Sequence, residues 1–202
     1  MSSSRSDDEE IRAELERIFG SDMVKFNWDI AKQSQDLMNH QAYSPQPDFA
    51  IGPFNLRPEE EEKHRALSAI SVVYGHCHDA FIEPIRRISD VPNQGIASNV
   101  NPRCFLAIEV EGPTPTAKHK LGGLINASLL GRIGIMVGRD ELVTNRIRRI
   151  RNYLNNAYSL QKTDWRIDNV FIVERESFLQ VLRGTQDHNI DRILASAHDD
   201  ER

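Results

Sequence analysis

Four side chains in this sequence have the types and spacings that can gather a divalent cation: Asp48, Glu109, Glu111 and Lys118. Glu109 and Glu111 close an almost unbroken apolar run, Cys104 to Val110, which has the length and composition of a buried strand. Alternate residues of a strand share a face. Phe105, Ala107, Glu109 and Glu111 are therefore expected to point one way, and Leu106, Ile108 and Val110 the other. Two like charges side by side in a desolvated place repel unless a proton, a basic group or a metal compensates.

Lys118 supplies one such basic group. At about 100° per residue it falls within the stripe of Leu121, Ile125 and Leu129, so its helix is expected to aim the ammonium at the sheet. A helix dipole disfavours a cation near its N-terminus, and a nearby carboxylate pair is a physical reason for the lysine. Lys120 lies toward one edge of the same stripe and is the weaker candidate. Asp48 follows Pro47 and heads a short strand, Asp48 to Ile51, stopped by Gly52-Pro53.

The elements that must position these groups follow from periodicity. Asp8 to Phe19 and Met23 to about Met38 read as helices, Tyr43 to Pro47 as an extended linker, and Pro58 as the first-turn proline of a long helix whose acidic start, Glu59 to Glu62, suits its dipole. Val91 to Arg103 reads as a loop. Thr114 and Pro115 read as N-cap and first residue of a helix ending at Gly131, and Gly122-Gly123 inside it is expected to pack closely on a strand. Ile133 to Val137 is the next strand. Strand, helix, strand in that order implies a parallel pair. A helix from Asp140 to about Tyr158, a strand over Asn169 to Val173 and a helix over Arg175 to Leu182 complete the expected order.

The 202 residues, 39% hydrophobic, allow one sizeable core. We expect a disordered acidic tail over 1–8, a single α/β domain over 9–195, and a polar tail over 196–202. No apolar run approaches the ~18 residues of a membrane span, and the polar, acidic N-terminus is unlike a signal peptide, which together predict a cytoplasmic protein. Cys77 and Cys104 match neither a zinc nor a disulfide spacing and read as reduced core thiols. His64, His76, Cys77, His78 and Asp79 do not assemble into a zinc site, because His76 and His78 point to different sides of one helix.

Net charge is −5, yet Asn101 to Arg166 carries eleven Lys/Arg against five Asp/Glu, leaving −11 for the rest. Arg146, Arg148, Arg149 and Arg151 lie outside the apolar stripe of Val143, Ile147, Ile150 and Leu154. They could hold phosphates, or form an ordinary solvated helix face.

Pro47-Asp48, then a strand bearing Glu109-Val110-Glu111, then a helix and a strand, resembles the core of the PD-(D/E)xK nucleases. The match covers roughly Pro47 to Gly138. The resemblance implies an α/β fold with a central mixed sheet flanked by helices and a restriction-endonuclease-like core. It also implies Mg²⁺ (or Mn²⁺) held by Asp48 and Glu109, with Glu111 beside them, and hydrolysis of a phosphodiester. Glu111 stands where the family usually has lysine, similar to a Glu-x-Glu variation of some restriction endonucleases in which the second glutamate handles the water. The alternative is that Lys118 has taken the lysine's role. The implied partner is nucleic acid, DNA first, bound through Lys120, Arg146, Arg148, Arg149 and Arg151, with a second copy of the chain as a further candidate and no membrane. Glu14 or Glu16 could add the further acidic residue that some relatives carry.

Blander readings compete at each position. Glu109 and Glu111 could be solvated where the strand meets Gly112-Pro113, Asp48 could cap a turn, and Lys118 could lay its stem on the core with its head in water. On those readings the chain is a non-catalytic nucleic-acid or protein interaction module on a nuclease-like scaffold.

Overall fold

A computed structural model describes residues 3–29, 46–56, 59–89, 99–164 and 166–199. Its centre is a five-stranded mixed sheet in sequential order: β1 (Val24–Phe26), β2 (Phe49–Ile51), β3 (Cys104–Glu111), β4 (Gly131–Gly138) and β5 (Val170–Glu174). β1, β2 and β3 run antiparallel to their neighbours, whereas β3, β4 and β5 are parallel. The parallel half needs crossovers, and helices α4 (Ala117–Leu130) and α5 (Glu141–Ser159) supply them. This is the expected α/β architecture with a mixed sheet between helices.

Strand alternation sorts the core into two layers. Leu106, Ile108, Ile133, Ile135, Val137, Phe171 and Val173 meet α1 (Ser3–Phe19), α2 (Glu60–Cys77), α3 (Glu83–Ile88), α6 (Arg175–Gly184) and α7 (Ile190–Asp199). Met136, Val170 and Ile172 meet Leu124 and Ala127 of α4 and Val143 and Ile147 of α5 on the other face. A buried side chain of this kind contributes about 1.5–3 kcal/mol, so both faces of β4 anchor the domain. α2 continues through a π-turn, His78–Ile82, into α3.

Several expectations are corrected. Residues 24–26 form β1 and not the start of a helix, because Val24 and Phe26 pair with Ile51 and Phe49; the rest of that proposed helix, residues 30–38, lies outside the described residues. So do Pro58, most of the 43–47 linker and most of the 91–103 loop. Phe105 joins the cluster of Leu106 and Ile108, edge-on to Phe19 at 6.2 Å between centroids, and does not share the face of Glu109. Thr116, and not Thr114, precedes α4.

The face that α4 turns to the sheet also differs from the expected one. Its buried residues are Lys120, Gly123, Leu124, Ala127 and Leu130, whereas Leu129 is exposed and Leu121 and Ile125 are only half-buried. Small residues face the sheet so that the helix can lie close to it: a Cβ on Gly134 of β4 would meet the backbone of Ala127 at 2.8 Å. No described helix is long and apolar enough to cross a membrane.

Candidate functional site

The site forms where β2 enters the sheet and β3 leaves it. The antiparallel register pairs Phe49 with Ile108, which sets Asp48 opposite Glu109. Directly opposed residues share a face, with Cβ atoms about 5 Å apart. Asp48 is held there by its own strand neighbours: its Oδ2 accepts a 2.7 Å hydrogen bond from the Val110 amide, and its carbonyl accepts one from Asn27.

Glu109 and Glu111 are each 8% exposed and lie under α4. A Cβ on Gly123 would stand 3.2 Å from Glu111 Oε1 and 3.7 Å from Glu109 Cβ, so glycine lets the helix approach both acids. Asn126, one turn further along α4, donates to Glu109 Oε1 at 3.4 Å. Burial pushes the Glu109 carboxyl up to about 9, and the charge of Asp48 adds to the shift while the Asn126 hydrogen bond opposes it. Burial likewise raises Asp48 to about 6 against the pull of the Val110 amide, with the charges of Asp8 and Glu111 adding to it. Glu111 is also raised by burial, with Lys120 pulling the other way.

Lys120 is the lysine of this site. It is 1% exposed, and its Nζ donates to Gly112 O at 3.0 Å and Pro115 O at 2.9 Å and lies 3.5 Å from Glu111 Oε2. All three ammonium donors are thereby engaged. Lys118, expected in this role, is exposed on the outer side of α4, beside Arg149 and Tyr153 of α5. The error was one of helical phase. Leu121, Ile125 and Leu129 do not form the inward stripe; Lys120, Gly123, Leu124, Ala127 and Leu130 do.

Of the residues expected at the site, the structure therefore brings Asp48, Glu109 and Glu111 together and leaves Lys118 outside. Sequence reasoning missed Asn126 and Asp8 and ranked Lys120 too low. The spacing Lys120, Gly123, Asn126 and Ala127, polar and small residues three and four apart, is the signal that marks this face. Asp8, and not Glu14 or Glu16, is the α1 acid felt by Asp48; Glu14 pairs with Arg17 and Glu16 with Arg12.

The arginines of α5 divide. Arg146 and Arg149 are exposed, and both line a groove with Pro113, Thr116 and Lys120. Arg148 is half-buried and bonds Asn145. Arg151 is 6% exposed, so it faces the packed interior and not an open surface. Cys77 and Cys104 are free and buried, and burial pushes the Cys77 thiol up to about 12, as suits inert core thiols.

The donors at the site are carboxylate oxygens, the type a hard divalent cation prefers. Raised carboxyl groups side by side form a place that either keeps protons or exchanges them for a cation. Among the described residues no group of three or more His, Cys, Asp or Glu side chains is arranged to hold a metal ion. Mg²⁺ does not require one, since it keeps several waters and takes one or two carboxylates with substrate oxygens. Compared with known proteins, the chain matches no family model, and no curated protein or solved structure resembles it significantly.

Proposed function

We propose that this chain is a divalent-metal-dependent nuclease of restriction-endonuclease-like type, hydrolysing phosphodiester bonds of nucleic acid. The observation that carries the proposal is Asp48 set opposite Glu109 on a buried face, with Glu111 and the buried Lys120 beside them. The order of parts agrees with the resemblance in the sequence: an aspartate heading one strand, the glutamate pair on its antiparallel neighbour, then a helix and a parallel strand.

In this reading Asp48 and Glu109 would hold Mg²⁺ or Mn²⁺, Glu109 giving up its proton to do so. When bound, the ion supplies charge that lowers the pKa of water and offsets charge building on the phosphate. Glu111 accepts the proton of the attacking water as its oxygen forms the new bond to phosphorus, and the opposite phosphorus–oxygen bond breaks with its electron pair going to the leaving oxygen, which takes a proton from solvent. Lys120 holds the Glu111 carboxylate in place and puts a positive charge beside the reacting phosphate. Gly123 keeps the space between α4 and the acids open.

The test is cleavage of end-labelled single- and double-stranded DNA and RNA with Mg²⁺ or Mn²⁺. The expected result is cleavage of at least one substrate, abolished by chelator and by Glu109→Gln. Equal cleavage by wild type and Glu109→Gln, or none on any substrate with either metal, overturns the proposal. In the second case a non-catalytic interaction module remains.

A further inference from the structure

The groove between α4 and α5 has a character that the acidic site does not require. Its floor is apolar, formed by Leu121, Ile150 and Leu154, and its walls carry Lys118, Arg149 and Tyr153. Tyr153 is 72% exposed, whereas Val143 and Ile147 of the same helix are buried. A second depression continues from the first through Arg149 and Ile150 to Arg146 and Lys120, and Lys120 is the residue that binds Glu111. The groove therefore reaches the lysine that borders the candidate site.

Its charge is one-sided. α4 contains no carboxylate, and α5 contains only Glu141, in its first turn, against the exposed cations Lys118, Arg146 and Arg149. In a chain of net charge −5 this is a local cationic face. Cations alone would suit any polyanion. A ring and an apolar floor between the cations suit one whose flat, apolar faces alternate with its charges.

We infer that the α4–α5 groove binds an unpaired nucleic-acid strand, with a base stacked on Tyr153, phosphates on Lys118, Arg146 and Arg149, and the strand led toward Lys120 and Glu111. In a duplex the base faces are stacked on one another and unavailable to an aromatic platform, whereas an unpaired strand offers a face with every base. The inference rests on the nuclease reading only for where the strand leads; the binding itself stands apart from cleavage.

The test is fluorescence anisotropy of a labelled oligothymidylate, a duplex of matched length and a polyglutamate peptide, all in chelator. The wild type is expected to prefer the single strand. Tyr153→Ala should weaken that binding on the order of tenfold while leaving duplex binding unchanged, and Tyr153→Phe should restore it. Arg149→Ala should lower the dependence of log affinity on log salt by about 0.7, the loss of one phosphate contact on a single strand. Preference for the duplex, equal affinity for polyglutamate, or unchanged affinity in Tyr153→Ala overturns the inference. The two readings fail separately: Tyr153-dependent binding without cleavage would refute the nuclease alone, and cleavage with Tyr153-independent affinity would refute the groove alone.

Discussion

Gly123 of α4 lies against the carboxylate of Glu111 on β3, so close that a Cβ at position 123 would stand 3.2 Å from Oε1 and 3.4 Å from Met136 Cε. Its neighbour Gly122 meets nothing within 4 Å. Alanine gains about 1 kcal/mol over glycine in a helix interior. Gly122→Ala is therefore expected to stabilise the domain by up to that amount, shifting the thermal midpoint upward by about 2–4 °C. Gly123→Ala should show no such gain, because the carboxylate and the thioether must give way, and it should impair the site that Gly122→Ala leaves intact. Calorimetric scans of the two variants give the comparison.

The two lysines of α4 separate the same way. Lys120→Met removes the cation beside Glu111 and strands the carbonyls of Gly112 and Pro115, and breaking a buried pair from one side costs about 3–5 kcal/mol. Lys118→Ala alters an exposed side chain and is expected within about 0.5 kcal/mol of wild type. Urea denaturation measures both. Equal effects would contradict the placement of Lys120.

Glu109 makes the stability of the metal-free protein depend on pH. Its carboxyl is raised from 4.5 to about 9 in the folded state, so between those values the folded chain holds a proton that the unfolded chain has lost. Folding is favoured fully below the unfolded value, and the advantage falls as pH rises toward the folded one. Glu109→Gln removes this loss. It should raise the thermal midpoint relative to wild type at about pH 8 and have little effect at about pH 4. A variant that is destabilised more at the higher pH would contradict the assignment.

Much of the fold was legible because β3, β4 and α5 carry strong, unambiguous patterns: an apolar run, a second apolar run, and a helical stripe opened by Asp140, whose side chain accepts the Val143 amide at 2.8 Å. β1 was not legible. Three residues, one of them exposed, make no period of their own and form a strand only because β2 offers an edge to pair with. The acids of the site followed from strand alternation, which needs no knowledge of distant partners. The face of α4 did not, because hydrophobicity favoured Leu121 and Ile125 as the inward stripe, whereas close packing selects small residues and accepts a lysine wherever its three donors find acceptors. Arg151 misled for a related reason: charge type predicts exposure only until a specific environment takes the side chain in.

Direct titration with Mn²⁺, followed by calorimetry on the metal-free wild type and on Glu109→Gln, tests the central claim that Asp48 and Glu109 form a cation site. The account predicts saturable binding at one ion per chain, with proton release into the buffer because the raised Glu109 carboxyl must ionise. Binding should be lost in the variant. Binding of equal strength in both proteins, or no binding in the wild type, would contradict it.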